Sequence, residues 1–273
     1  MIRGLHGGMM RKLLMGLALP AIVLVASSAA LAQSQGTAVF RYSLWDSEMK
    51  CELRASPGLT FGTEFSLSDI GMDRKENIEI WEILTAQGKM QLNISYWESR
   101  WEGSAQITTP LVYENITYNV GDLVNSKMKL KSVDAALTFS LLVSYKAWFG
   151  LVLGVKYMEY YTELWDVSTG QIGEERAAAP LPYAGGNLVL MLGSQVGLGG
   201  RLVLTQYSYS GTNVSVPSFY EADAYLEVRA GNSLAAQFGV RTMQLNYKNT
   251  TGGDKVEIKH LLRGPYAAVY LRF

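Results

Sequence analysis

From residue 33 onward the chain repeats one pattern, an alternation of apolar and polar positions with period two. Val133, Ala135, Leu137, Phe139, Leu141 and Val143 alternate with Asp134, Ala136, Thr138, Ser140 and Leu142. Ala222, Ala224, Leu226, Val228 and Ala230 alternate with Asp223, Tyr225, Glu227 and Arg229. Met90, Leu92, Ile94 and Tyr96, and Leu59 to Leu67, follow the same rule. Successive strand side chains point to opposite faces, so each stretch predicts a strand with one apolar face. These stretches outlast the ~5–6 residues of an average soluble strand. Many also end in aromatics, such as Tyr96-Trp97, Tyr145, Trp148-Phe149, Trp165 and Tyr247, as the girdles of a membrane barrel do. After Ala32 no run approaches the ~18 apolar residues of a membrane helix. The fold class expected is all-β, an antiparallel transmembrane β-barrel, closed because an open sheet edge in lipid leaves backbone groups unpaired. A soluble barrel, with the apolar faces turned inward, is the alternative.

The first residues read differently. Arg11 and Lys12 precede the apolar run Leu13 to Ala30, which ends in Ala30-Leu31-Ala32. A basic start, an apolar middle and a small-x-small site predict a secretory signal peptide over 1–32 and a barrel over 33–273. An uncleaved anchor is the competing reading; the cleavage site and the lack of a basic flank after the run argue against it. The whole chain has 24 basic and 24 acidic residues, and residues 33–273 have 21 against 24. Such a balance offers no basic footprint, so nucleic acid is excluded as a partner. Cys51 is the sole cysteine, which excludes an intrachain disulfide and a thiolate metal cluster.

At the other end, Gly264 to Phe273 alternates again, with Phe273, Leu271 and Val269 on one face and Arg272, Tyr270 and Ala268 on the other. An alternating last strand that ends on an aromatic resembles the assembly signal of Gram-negative outer-membrane barrels. The resemblance implies that Phe273, Leu271 and Val269 are read by the outer-membrane assembly machinery. It also implies contact with outer-membrane lipids. Gly62 to Gly71, Met90 to Tyr96 and Leu151 to Tyr157 are further similar to a loose family of poorly characterised proteobacterial barrel proteins, which brings no catalytic residues with it.

In that class both chain ends lie in the periplasm, with short turns there and longer loops outside. Turns are expected at Ala86 to Gly88, Lys146 to Phe149, Gly197 to Gly200 and Ala230 to Asn232. Outer loops are expected at 71–77, 101–126, 166–182, 210–217 and 248–254. Ser56-Pro57-Gly58 then becomes a periplasmic turn, so residues 38–55 hold two short strands around Asp46-Ser47. The count is about 12 strands, with 10 as the alternative.

Candidate chemistry is sparse. The polar faces direct Glu64, Asp134, Lys156, Asp223, Glu227, Arg229 and Arg241 to the lumen. Charges of both signs there form either an ion-paired filling or the lining of a small pore. His260 is the one histidine of 33–273. A lipid-directed hydrolase would need a serine to reach it across strands, from Ser233 or Ser208, with Glu257 as orienter. No motif supports that arrangement, and the sequence implies no cofactor or metal. The function expected is an integral outer-membrane barrel of structural or interaction type, with a narrow, largely filled lumen. A porin-like diffusion channel and the His260 hydrolase are the alternatives.

Cell fractionation tests the address: the chain beginning at Gln33 should sediment with outer membranes and migrate differently on gels before and after heating. Recovery from the soluble periplasm would contradict it.

Overall fold

A sheet that keeps its alternation through the whole chain has to bring its last strand back to its first. The computed structural model describes residues 36–56, 65–206, 214–251 and 254–273, and its strands do so. The long strands are β1 (Thr37–Ser56), β3 (Lys75–Gln87), β4 (Met90–Gln106), β7 (Leu123–Val143) and β8 (Ala147–Asp166). They continue with β9 (Ile172–Met191), β10 (Val196–Gln206), β11 (Val214–Ala230), β12 (Leu234–Thr251) and β13 (Asp254–Arg272). Short pieces β2 (Phe65–Ser66), β5 (Leu111–Tyr113) and β6 (Ile116–Tyr118) lie between them. Among the described residues the long strands pair antiparallel in chain order and close into a barrel of 10.

The closing pair β1–β13 runs from Val39 opposite Arg272 to Ser56 opposite Lys255. At one rim, Phe273 N–H donates to the Ala38 carbonyl at 2.9 Å, so the last residue completes the ring. We call this the terminal rim and the opposite one the far rim.

The wall has two storeys of opposite polarity. From the terminal rim upward the outer face is apolar, with Leu92, Ile94, Leu137, Val133, Leu153, Leu226, Val240 and Val269 pointing out. Leu137 is 38% exposed and Val269 48%, whereas their strand neighbours Ala136 and Ala268 are buried. On β13 this belt extends from Pro265 to Phe273, about 26 Å along the strand and roughly 20 Å in height at the ~35–45° tilt of membrane barrels, whose apolar band is ~25 Å tall. Above it the outer face turns charged: Glu48, Lys50 and Glu52 on β1, Glu98, Arg100 and Glu102 on β4, Lys127, Lys129 and Lys131 on β7. The inner face inverts at the same height, from polar below to Trp45, Ile78, Trp97, Met128, Met158 and Leu262 above. The upper storey is therefore built like a soluble barrel and the lower one like a membrane barrel. Among the described residues no helix is long and apolar enough to cross a membrane.

Several sequence expectations change. The alternative of 10 strands holds, because residues 37–56 form one strand that stays paired with β3 through Asp46 and Ser47. The two-strand reading failed because Asp46-Ser47 resembles a turn, yet Ser47 Oγ donates to the Glu76 carbonyl at 2.9 Å and continues the sheet. Ser56 consequently ends at the far rim, not the terminal one. Gly197 to Gly200 lies inside β10, and the turn precedes it at 192–195. The loop expected at 166–182 shrinks to a turn at 167–171, since Ala177 to Pro182 extends β9. The loop expected at 101–126 spans 107–122 and contains the β5–β6 hairpin. Residues 1–32, Pro57, Gly58, Glu64 and Ser208 lie outside the described residues.

The two storeys make opposite demands on one substitution. Leu137→Arg and Leu226→Arg should each lower folding stability by about 2–4 kcal/mol in urea titrations from lipid vesicles, the scale for a cation facing hydrocarbon. Tyr161→Arg, on the outer face of the charged storey, should change it by under ~1 kcal/mol. Equal losses would refute the assignment of the belt.

Candidate functional site

The alternation that turns leucines out turns the other parity in, so every barrel strand contributes side chains to the interior. At the height of the belt these inner side chains are ionic. Lys156 on β8 stands directly opposite Asp134 on β7, with Nζ 3.5 Å from Oδ2. Its Nζ donates across the lumen to Glu221 on β11 at 2.5 Å. Arg201 on β10 donates through Nη1 to Glu221 at 2.9 Å and through Nη2 to the Tyr183 hydroxyl at 3.0 Å. Tyr183 in turn donates to Asp134 at 2.6 Å, closing a ring of five side chains from strands β7 to β11.

A second group flanks the closing seam. Arg241 on β12 grips Asp223 on β11 through Nε and Nη2, the shorter contact being 2.8 Å. Its guanidinium also stands over the rings of Trp45 and Tyr266. Arg41 on β1 forms a 2.8 Å ion pair with Glu82 on β3 and stands over Tyr266 and Tyr270. Nearer the terminal rim, Arg229 pairs with Glu227 at 2.6 Å, and Gln237 donates to Glu227 at 2.9 Å. In the two belt-height groups, four cations meet four carboxylates.

Glycines make room for the tyrosines. A side chain at Gly154 would collide with the Tyr183 ring, and one at Gly199 with the Tyr225 ring. Each ring lies against bare backbone of a neighbouring strand and fills the lumen sideways.

The upper storey is closed by packing. The 3-10 turn Leu67–Ile70 and the following Met72 lie against the inner faces of β1, β4 and β7. Ser126 Oγ donates to the Ile70 carbonyl at 2.7 Å, Met49 N–H to the Arg74 carbonyl at 2.7 Å, and Met72 bridges to Gly103. Gly71 takes a left-handed φ of 73° and approaches the Ser104 backbone too closely for a side chain. The β5–β6 hairpin covers this turn, with Phe65 edge-on to Tyr113 and Tyr118 donating to the Leu164 carbonyl at 3.0 Å. Beneath them His260 is 2% exposed. Its ring nitrogen meets the Tyr160 hydroxyl, and its strand neighbour is Cys51.

Of the residues singled out in the sequence, Asp134 with Lys156, Asp223 with Arg241, and Glu227 with Arg229 are brought together as pairs. Glu64 lies outside the described residues. Phe273, Leu271 and Val269 are exposed on the outer face of the belt. Ser233 sits in the terminal-rim turn, roughly 40 Å along the strand from His260 at ~3.3 Å per residue. The sequence reading missed Glu221, Arg201, Arg41, Glu82 and Tyr183. Parity would have found Glu221, which shares its face with Asp223 and Glu227 two and six residues on.

No family model matches the chain, and no curated protein does. Solved structures do match in fold. The outer membrane protease OmpT from Escherichia coli superimposes with a TM-score of 0.57 at 12% identity, covering 87% of this chain and 97% of that one. This is the fold of the outer-membrane β-barrels. The translocator domain of autotransporter NalP from Neisseria meningitidis matches with a TM-score of 0.46 at 12% identity, over 96% and 98% of the two chains. At such identities the likeness extends to the fold alone. The outer-membrane barrel presents its belt to lipid and its charged storey to water.

Equilibrium unfolding should reveal the ionic ring. Lys156→Met leaves two carboxylates facing one arginine and should cost about 3–5 kcal/mol, the usual penalty for orphaning a buried charge. Adding Glu221→Gln restores the balance and should recover part of that loss; a further additive loss would show that the side chains act independently.

Proposed function

We infer that the protein is an integral outer-membrane barrel of structural or interaction type, closed to solutes, with its charged storey and far rim outside the cell. The observation that carries this reading is the double filling of the interior. An ion-paired tier occupies the belt, and an apolar tier capped by Leu67, Ile70 and Met72 occupies the storey above. Charge-balanced side chains that satisfy one another give a permeating ion little to replace its hydration shell. The apolar tier adds a dry barrier above them.

Supporting a non-enzymatic role is the setting of His260. A general base has to lie within hydrogen-bond reach of its nucleophile. Here the imidazole is enclosed by the upper packing and engaged with Tyr160. The surface left for function is the outer one: the charged wall and the far-rim turns, where Trp165, Val167 and Ile172 are exposed.

Planar bilayer recording decides between this and a narrow channel. The refolded protein should hold the baseline current of the empty bilayer. The double variant Leu67→Ser with Ile70→Ser should raise the frequency of transient openings. Steady ion-selective conductance in the unmodified protein would overturn the closed reading. Lipase, deacylase or protease turnover that disappears in His260→Ala would overturn the non-enzymatic one.

A further inference from the structure

At the terminal rim the β7–β8 hairpin ends in an apolar knob. Its ladder shifts register between Ser140–Gly150 and Leu142–Phe149, so Leu141 is one residue too many for the pairing. A bulge of this kind breaks the alternation. Two successive leucines are left exposed, Leu141 at 64% and Leu142 at 51%, and Tyr145 at the tip is 84% exposed. The tip is nevertheless held in place. Ser144 N–H donates to the Ala147 carbonyl at 2.9 Å, and Ala147 N–H donates to Ser144 Oγ at 2.9 Å.

Two lysines border the knob. Lys146 follows Tyr145, with Nζ 5.4 Å from the centre of its ring, and its carbonyl accepts the Met191 N–H of β9 at 2.8 Å. On the other side, the carbonyl of Lys89 in the β3–β4 turn accepts the Ser140 N–H at 2.8 Å, directly before the bulge. Backbone bonds thus fix one exposed lysine on each flank of the hairpin. Neither is in an ion pair among the described residues. The described turns of this rim, 87–89, 144–146, 192–195 and 231–233, contain no Asp or Glu. Glu82 and Glu227 lie on the inner face, paired with Arg41 and Arg229. Up the outer faces of β4, β7 and β8 the next charges are Glu98, Lys131 and Glu159, one row of the charged storey. The lower edge of the belt therefore carries unopposed positive charge here, with exposed leucines beside it.

We propose that this edge binds an anionic phospholipid of the phosphatidylglycerol type in the periplasmic leaflet. Lys89 and Lys146 meet the phosphate, and the acyl chains lie along the wall of Leu141, Leu142 and Phe149. Ammonium groups on a phosphate make charge-assisted hydrogen bonds. A zwitterionic headgroup would bring its own ammonium against the two lysines, with no carboxylate to receive it, and that like-charge contact selects against it. The leaflet rests on the orientation proposed above, with the far rim outside; the chemistry of the edge does not.

Native mass spectrometry of the full chain, purified in detergent, tests the site with equal amounts of phosphatidylglycerol, phosphatidylethanolamine and phosphatidylcholine. One copy of phosphatidylglycerol should be retained on the order of tenfold over each zwitterionic lipid. Lys89→Gln and Lys146→Gln should each remove roughly threefold of that preference, and the double variant all of it, while gel heat-modifiability reports a folded barrel. The pair Lys127→Gln with Lys131→Gln, on the charged storey, should leave it unchanged. Equal retention of the three lipids, a preference unmoved by the double variant, or one lost equally with the storey pair overturns the proposal. Orientation is read separately. Cys51 is buried, so Tyr145→Cys supplies the accessible thiol; it should resist a membrane-impermeant maleimide in intact cells and react once the outer membrane is permeabilised. Labelling in intact cells would overturn the periplasmic assignment whatever the lipid preference.

Discussion

Within the apolar belt every backbone N–H and carbonyl has to be satisfied by the protein, and that is possible only because β13 returns to β1. The other features follow from this closure. It fixes the strand number as even, places Thr37 and Phe273 at one rim, and makes the terminal residue a structural member through its bond to Ala38. The seam ladder is interrupted between Trp45–Tyr266 and Glu48–Arg263. Gly264 and Pro265 admit Asp46 and Trp45 at a distance other residues would forbid. The aromatic-cationic group of Arg41, Arg241, Tyr266 and Tyr270 lines the inner wall beside this interruption.

A closed ring of 10 strands leaves an interior that side chains can fill, and the protein fills it in two ways. At belt height the outer face has to be apolar, so the inner face is free to be polar, and its charges neutralise one another across the lumen. Above the belt the outer face meets water, and the strands reverse their parity of hydrophobic residues. Buried ions are expensive unless paired and hydrogen-bonded. The Lys156, Arg201, Glu221, Asp134 and Tyr183 ring meets both conditions. The upper tier depends instead on burial of Trp45, Trp97, Met128 and Leu130 beneath the segment around Ile70.

The reversal of parity explains where reading the chain succeeded and where it did not. Leu137 against Asp134 and Leu226 against Asp223 kept their assigned faces, because a strand's period of two leaves no freedom once one residue is placed. Trp97 stood at the end of a segment read as an aromatic girdle. It is buried in the upper storey, since beyond Tyr96 the outside of β4 becomes Glu98, Arg100 and Glu102. The Asp46-Ser47 break was misread for the same reason: charges that begin above the belt look like a turn when no membrane boundary is in view.

The residues by themselves determined the strand as the building unit, the need for closure, the apolar belt and the inward parity of Asp134, Lys156, Asp223 and Arg241. Those properties are local, set by alternation and by the cost of unpaired backbone in lipid. Strand register across the seam, the folding of Leu67–Ile70 into the upper storey, and the meeting of Lys156 with Glu221 were decided by the tertiary structure. They join residues up to hundreds of positions apart, such as Trp45 and Gly264. No spacing along the chain encodes which side chain will face which across a closed lumen.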